Sequence, residues 1–136
     1  MRNSSKARYA VAALVDLALQ QSRRPTALAD IAKRQDISIS YLEQLFARLR
    51  QAGLIRSVRG PGGGYVLSRG AAEISVGDIC AAVSAGDEAP VEPGSGPVQA
   101  RTAALWRTVD ADNTRVLQGI SLQQVLYGAD GQSVAA

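Results

Sequence analysis

The sequence predicts a mainly α-helical fold with one small β-hairpin, on three observations. Residues 57–65 read Ser-Val-Arg-Gly-Pro-Gly-Gly-Gly-Tyr, with Leu54 and Ile55 before them and Val66 and Leu67 after. Four glycines and a proline between two strand-like runs cannot continue a helix, and they make a tight, low-bulk hairpin loop. Just upstream, Leu42, Leu45, Phe46 and Leu49 form one apolar stripe of a helix whose other side carries Arg and Gln. Far downstream, Thr102, Trp106, Val109, Asn113, Val116 and Ile120 alternate at steps of four and three residues, the seam of a coiled coil. A helix followed by an arginine-tipped hairpin is the layout of a winged helix-turn-helix, here joined to a long dimerisation helix.

Each element has its own signal. Ser4 or Ser5 can cap a first helix reaching about Gln21, with Tyr9, Ala13, Leu14 and Leu17 as its apolar stripe. The run 9–19 after Lys6 and Arg8 faintly imitates a signal peptide, but Asp16 interrupts it and no small-residue cleavage site follows. Arg23-Arg24-Pro25 ends that helix. Thr26 can cap a short second one carrying Leu28, Ile31 and Ala32. Gln35-Asp36-Ile37 is the turn, and Asp36 is among the few non-glycine residues that tolerate its positive φ. Ser38 starts a third helix that ends at Gly53, a suitable residue just past a helix end. Strands near 54–58 and 65–68 form the wing. Val76, Ile79, Cys80 and Val83 place a short helix over 76–84. The domain boundaries follow: a winged helix-turn-helix over 1–84, a Pro- and Gly-rich flexible loop over 85–98, a dimerisation helix and a short C-terminal helix over 99–127, and a disordered tail over 128–136.

Composition narrows the function. Apolar residues are 46% of the 136-residue chain and aromatics only 4%, so the core is built from Leu, Val, Ile and Ala. No apolar run approaches the ~18 residues a membrane span needs. One cysteine excludes an internal disulfide and suits a reducing cytoplasm. There is no histidine, which removes the commonest general base and the commonest metal ligand. With no nucleophile–base pair either, the chain does not read as an enzyme. Residues 1–69 hold twelve Lys and Arg against four acids, whereas residues 70–136 hold three against eight. A basic first half calls for a polyanion partner.

The third helix and the wing are the expected double-stranded DNA surface. Ser38, Ser40, Tyr41, Glu43, Gln44 and Arg48 lie on or beside the polar face. Gln44 can read an adenine edge, and Glu43 can accept from a cytosine amino group. If Ser40 is the helix cap, however, Glu43 completes a capping box with it; if Ser38 is, Glu43 is left for the bases. Arg59 suits a narrow minor groove, with Gly62 and Gly63 giving close approach. Lys6 and Arg50, with Arg8 and Arg56, are candidates for phosphate contact. A nucleotide cradle is a poor reading of the loop, since no Gly-Lys-Ser/Thr follows and it joins strand to strand. Trp106, Val109, Asn113, Val116 and Ile120 are the expected dimer contacts, with Asn113 as a register-fixing polar residue. Two recognition helices would then lie about one DNA turn (~34 Å) apart on a palindromic operator.

Together Lys6-Ala-Arg-Tyr-Ala-Val, Leu28-Ala-Asp-Ile-Ala, Ile37-Ser-Ile-Ser-Tyr-Leu-Glu-Gln-Leu-Phe-Ala-Arg-Leu-Arg, Gly53-Leu and Val58-Arg-Gly-Pro-Gly-Gly-Gly-Tyr resemble the Rrf-type winged-helix regulators, and within them the regulators of iron–sulfur cluster assembly. The resemblance covers about Met1 to Val83 and resumes at Ala104-Leu-Trp. It implies a homodimeric bacterial transcription factor, often a repressor, linked to iron–sulfur status, redox state or nitric oxide. It also implies that the residues at Ser40, Tyr41, Glu43 and Gln44 meet major-groove bases and that Arg59 enters the minor groove. Cluster-bearing members carry three cysteines before Ala-Leu-Trp and commonly a histidine there. Here 87–102 holds no cysteine and Ala103 stands before the tripeptide. A [2Fe–2S] cluster takes four ligands, mostly thiolates. Cys80 remains, either as a small buried hydrophobe or as the one thiolate of an atypical cluster or redox switch, completed by Asp87, Glu88, Glu92 or a second subunit.

Overall fold

The structure is a computed structural model and describes residues 5–20, 24–85 and 96–128. The elements run α1 (Ser5–Gln20), α2 (Leu28–Gln35), α3 (Ile39–Gln51), β1 (Ile55–Val58), β2 (Gly64–Leu67), a 3-10 turn (Ala71–Glu73), α4 (Val76–Ser84), α5 (Pro97–Gln118) and α6 (Leu122–Tyr127). This is the mainly helical, winged arrangement that the residue pattern predicts.

Most bounds move by one or two residues from the expected ones. The long helix begins at Pro97, inside the stretch expected to be loop; a proline at the first helical position loses no hydrogen bond, and its ring presets φ. Residues 86–95 of that loop, and 129–136 of the expected tail, lie outside the described residues.

The core is one cluster to which every helix except α5, and both strands, contribute buried residues. Ala7, Ala10, Ala13, Leu14 and Leu17 of α1 share it with Leu42, Leu45, Phe46 and Leu49 of α3. Ile31 of α2, Ile55 of β1, Leu67 of β2, Ile79 and Val83 of α4, and Leu122 of α6 close the cluster. Phe46 and Tyr65 pack edge to face with centroids 5.0 Å apart, so the chain's single phenylalanine joins the recognition helix to the wing. Tyr9 departs from its expected inward place: it is 42% exposed, and Ala10 fills the core position instead. Small Ala7 and Ala10 let α1 lie close to its neighbours, leaving the larger ring at the edge against Tyr41, 5.7 Å away.

The turn between α2 and α3 holds Asp36 at φ 55° and ψ 51°, and its N–H caps the Ala32 carbonyl. Asp36 is the one non-glycine residue with positive φ among the described residues. Thr26 does not cap α2. Ala27 occupies that position without a side-chain bond, while Thr26 is buried and exchanges backbone hydrogen bonds of 3.0 and 2.8 Å with Tyr65. It thereby gives β2 a partner on its outer edge.

Candidate nucleic-acid interface

Ser38 starts α3 from an extended conformation, its Oγ accepting from the Tyr41 N–H at 3.1 Å. Ser40 is therefore already inside the helix, and Glu43 is not its capping-box partner. With Leu42, Leu45, Phe46 and Leu49 turned inward, helical geometry leaves Ser40, Glu43, Gln44, Ala47 and Gln51 as one continuous exposed stripe. Ser38 and Arg50 are exposed at its two ends. Tyr41 is half-buried against Tyr9, so its ring borders the stripe without standing free on it.

The wing follows α3 directly in the chain and packs on it through Phe46 and Tyr65. β1 and β2 pair antiparallel, with Ile55 opposite Leu67 and Val58 opposite Gly64. The Gly63 N–H donates to Gly60 O at 2.9 Å, closing a turn with Pro61 second and Gly62, at φ +75°, third. This is the type II pattern, in which proline presets one corner and glycine takes the other. Arg59 enters the turn exposed, and Gly62 leaves its tip without a side chain. Where β2 leaves the turn, opposite Val58, Gly64 lies so close to the α1–α2 connection that a Cβ there would sit 2.3 Å from Thr26 O. The wing is thus a short, bulk-free ribbon bolted to the body of the domain.

The basic residues divide by position. Arg8, Arg50, Arg56 and Arg59 are exposed, whereas Lys6 is half-buried. Arg48 departs from its expected place on the reading face. Its Nη1 donates to the Val83 carbonyl at 2.5 Å, because the helical step from Phe46 and Leu49 turns it toward α4. Arg34 also looks inward. Its guanidinium grips the buried Asp16 carboxylate through three contacts of 2.6–3.1 Å, and Gln35 Nε2 adds a fourth at 3.1 Å. The Asp16 hydrogen bond raises the Arg34 pKa above its ordinary value, against the opposing pull of desolvation.

α5 has no buried residue along its described length. Val98, Leu105, Trp106, Val109 and Val116 are 42–66% exposed and Asn113 is half-buried, whereas Ile120 departs from the expected seam: it lies past the helix end and packs against the core of its own subunit. Among the described residues only its far end is anchored: the junction of α5 with α6. Ser75 and Ser121 form an isolated bridge, with the Val76 N–H donating to Ile120 O at 2.8 Å and Leu122 N–H to Ile74 O at 2.7 Å. Both serines also carry capping boxes, with Asp78 and Gln124. The Ser-x-x-Asp and Ser-x-x-Gln spacings were the available signal for them. Beside this anchor an open apolar groove of about 750 Å³ runs along α1, walled by Val11, Val15, Leu19, Val76 and Leu117, with Cys80 on its floor.

Residues 3–128 match the model of the Rrf2 family, described as an iron-dependent transcriptional regulator. The chain belongs to the Rrf2 family. It is 48% identical to the HTH-type transcriptional regulator IscR of Cronobacter sakazakii over 142 residues, covering 97% of this chain and 88% of that one. It is likewise 48% identical to the IscR of Escherichia coli K12/DH10B over 130 residues, 93% of this chain and 80% of that one. Among solved structures, T. potens IscR superposes with a TM-score of 0.75 at 40% identity, over 93% of this chain and 86% of that one. CymR, the global cysteine regulator of B. subtilis, superposes with a TM-score of 0.74 at 32% identity, over 92% and 95%. This member of the Rrf2 family is therefore an HTH-type transcriptional regulator of the IscR type and not an enzyme.

The described residues do not fit an iron–sulfur cluster. Among them no group of three or more His, Cys, Asp or Glu is placed to hold a metal ion. Cys80 is 3% exposed, and burial pushes its thiol pKa up, away from the thiolate that a cluster requires. The other expected ligands, Asp87, Glu88 and Glu92, lie outside the described residues.

Proposed function

We propose that this chain acts as a homodimeric, sequence-specific repressor in the cytoplasm, and that it grips a palindromic operator with two copies of the α3–wing surface. The observation that carries this reading is the exposed stripe Ser40, Glu43, Gln44, Ala47 and Gln51 on the helix that leads directly into the Arg59-tipped hairpin. Ser40 and Ala47 are short enough to let α3 sink into a major groove. Gln44 and Glu43 present the donors and acceptors that distinguish base pairs there. Arg59 reaches the adjacent minor groove, where a narrow, electronegative cleft favours a guanidinium. Gly62 and Gly63 keep the wing from colliding with the backbone, and Arg8, Arg50, Arg56 and Lys6 fix register on the phosphates. The uncovered apolar residues of α5, Trp106, Val109 and Val116 with Asn113 alongside, support the dimer.

The family description ties these regulators to iron, and we place this one in iron–sulfur or redox homeostasis on that basis. No ligand set for a cluster is assembled among the described residues. A protein purified without air should be colourless; a brown protein with stoichiometric iron and sulfide, bleached in Cys80→Ala, would restore Cys80 as a ligand.

Operator selection followed by footprinting tests the main reading. A palindrome with two protected major-groove faces is expected, with affinity falling steeply as salt rises. Arg59→Ala should weaken binding, and Glu43→Ala should relax preference at one base position per half-site. A selection that enriches no sequence refutes the proposal.

A further inference from the structure

We infer that Arg48 is a positioning residue for operator recognition: it clamps the recognition helix to the carboxyl end of α4 and so sets the half-site spacing that the dimer accepts. This rests on the dimeric DNA-binding reading above.

The argument follows α4 from end to end. At its amino end the helix is fastened to the α5–α6 junction. Val76 N–H donates to Ile120 O, and Ser75 Oγ donates to Gln118 Oε1 at 2.8 Å. Gly77 lies so close to Gln118 that a Cβ would fall 2.6 Å from that side chain. At its carboxyl end, nine residues or about 13 Å on, the Val83 carbonyl accepts from Arg48 of α3. Between these ends Val76, Ile79 and Val83 are buried in the common core. α4 is therefore a strut between the helix that carries the dimer seam and the helix that reads bases.

The last carbonyls of a helix lack intrahelical partners and carry its negative dipole end. A guanidinium placed there forms a charge-assisted bond, stronger and more directional than a neutral one. The same side chain on the opposite face of α3 would be one more phosphate contact; on this face it is withdrawn from the duplex. In a dimer, the seam fixes one α5 against the other, and each strut fixes α5 against its own α3. The separation of the two recognition helices, about one helical turn of DNA, is thus transmitted through Val83 and Arg48.

The test uses the full chain and the selected palindrome, with two further probes whose centre is lengthened or shortened by one base pair. Wild type, Arg48→Met and Arg48→Lys are compared over a salt series. Methionine keeps an unbranched stem of similar length and removes the charge and donor, while lysine restores both. Wild type should reject the altered spacings. Arg48→Met should bind the palindrome about tenfold more weakly and lose most of its spacing discrimination, with an unchanged salt slope. Arg48→Lys should recover part of the discrimination. A salt slope reduced by about one with spacing discrimination intact would identify Arg48 as a phosphate contact and overturn the inference. So would a variant that merely melts earlier while discriminating as wild type does. If wild type itself binds none of the probes, the operator reading has failed before any substitution is considered, and this inference falls with it.

Discussion

Asp16 shows how a charged residue can belong to an apolar helix face. It is 6% exposed, yet its carboxylate meets two Arg34 nitrogens and Gln35 Nε2, so the residue that breaks the hydrophobic run of α1 is the one that latches α2. Removing the cation should strand a buried carboxylate. Arg34→Met is expected to destabilise the fold by about 2 kcal/mol in urea titrations. That is less than the ~3–5 kcal/mol of a fully buried pair, because Arg34 is 42% exposed and water enters to solvate what remains. Cys80 gives a second expectation at this scale. Burial raises its pKa above the ordinary 9.0, so the unfolded chain releases the thiol proton at lower pH than the folded one. Below the unfolded value both states are protonated and nothing changes. As pH rises from there toward the folded value, stability must fall. Wild type should therefore lose stability above about pH 9.0 more steeply than Cys80→Ala, whose own baseline is lower. Equal slopes in the two proteins would show that the thiol is already solvated.

At the scale of elements, sequence legibility depended on whether a residue's partner was local. Asp36 and Ser38 could be placed from their neighbours because a left-handed turn and a helix cap are local demands on one residue type. Both appear as expected, at φ 55° and as an N-cap bonded to Tyr41 N–H. The readable face of α3 followed from its apolar period for the same reason. Thr26 and Arg48 were misplaced because their partners, Tyr65 and Val83, lie 39 and 35 residues away. A good capping residue lends itself equally to an edge strand, and a surface arginine lends itself equally to a distant carbonyl. The hairpin's glycines were legible as a loop, but the need for Gly64 in particular came only from the close approach of Thr26. Gly64→Ala should push β2 off that edge. We expect a lower melting temperature together with weaker DNA binding, since the displaced ribbon carries Arg59. Unaltered affinity in a destabilised variant would separate the wing's anchoring from its contact with DNA.

The whole molecule divides into a basic body and an acidic half that contains the exposed helix α5. Its apolar residues are uncovered in the single chain: Trp106 is 59% and Val116 60% exposed. A row of such residues on one helix is large enough to mark an association surface. Because these side chains contribute nothing to the core of their own subunit, dimerisation and folding are separable here. Val109→Glu with Val116→Glu should give a monomer by sedimentation whose melting curve, taken at low protein concentration, stays close to that of dissociated wild type. The same variant should bind one half-site with unchanged salt response per subunit. It should lose about 10²–10⁴-fold on the full palindrome, since the second contact is no longer made at the high effective concentration a linked pair provides. Retention of the dimer in that variant would move the seam to another surface, and the open groove along α1 is where it would then have to be sought.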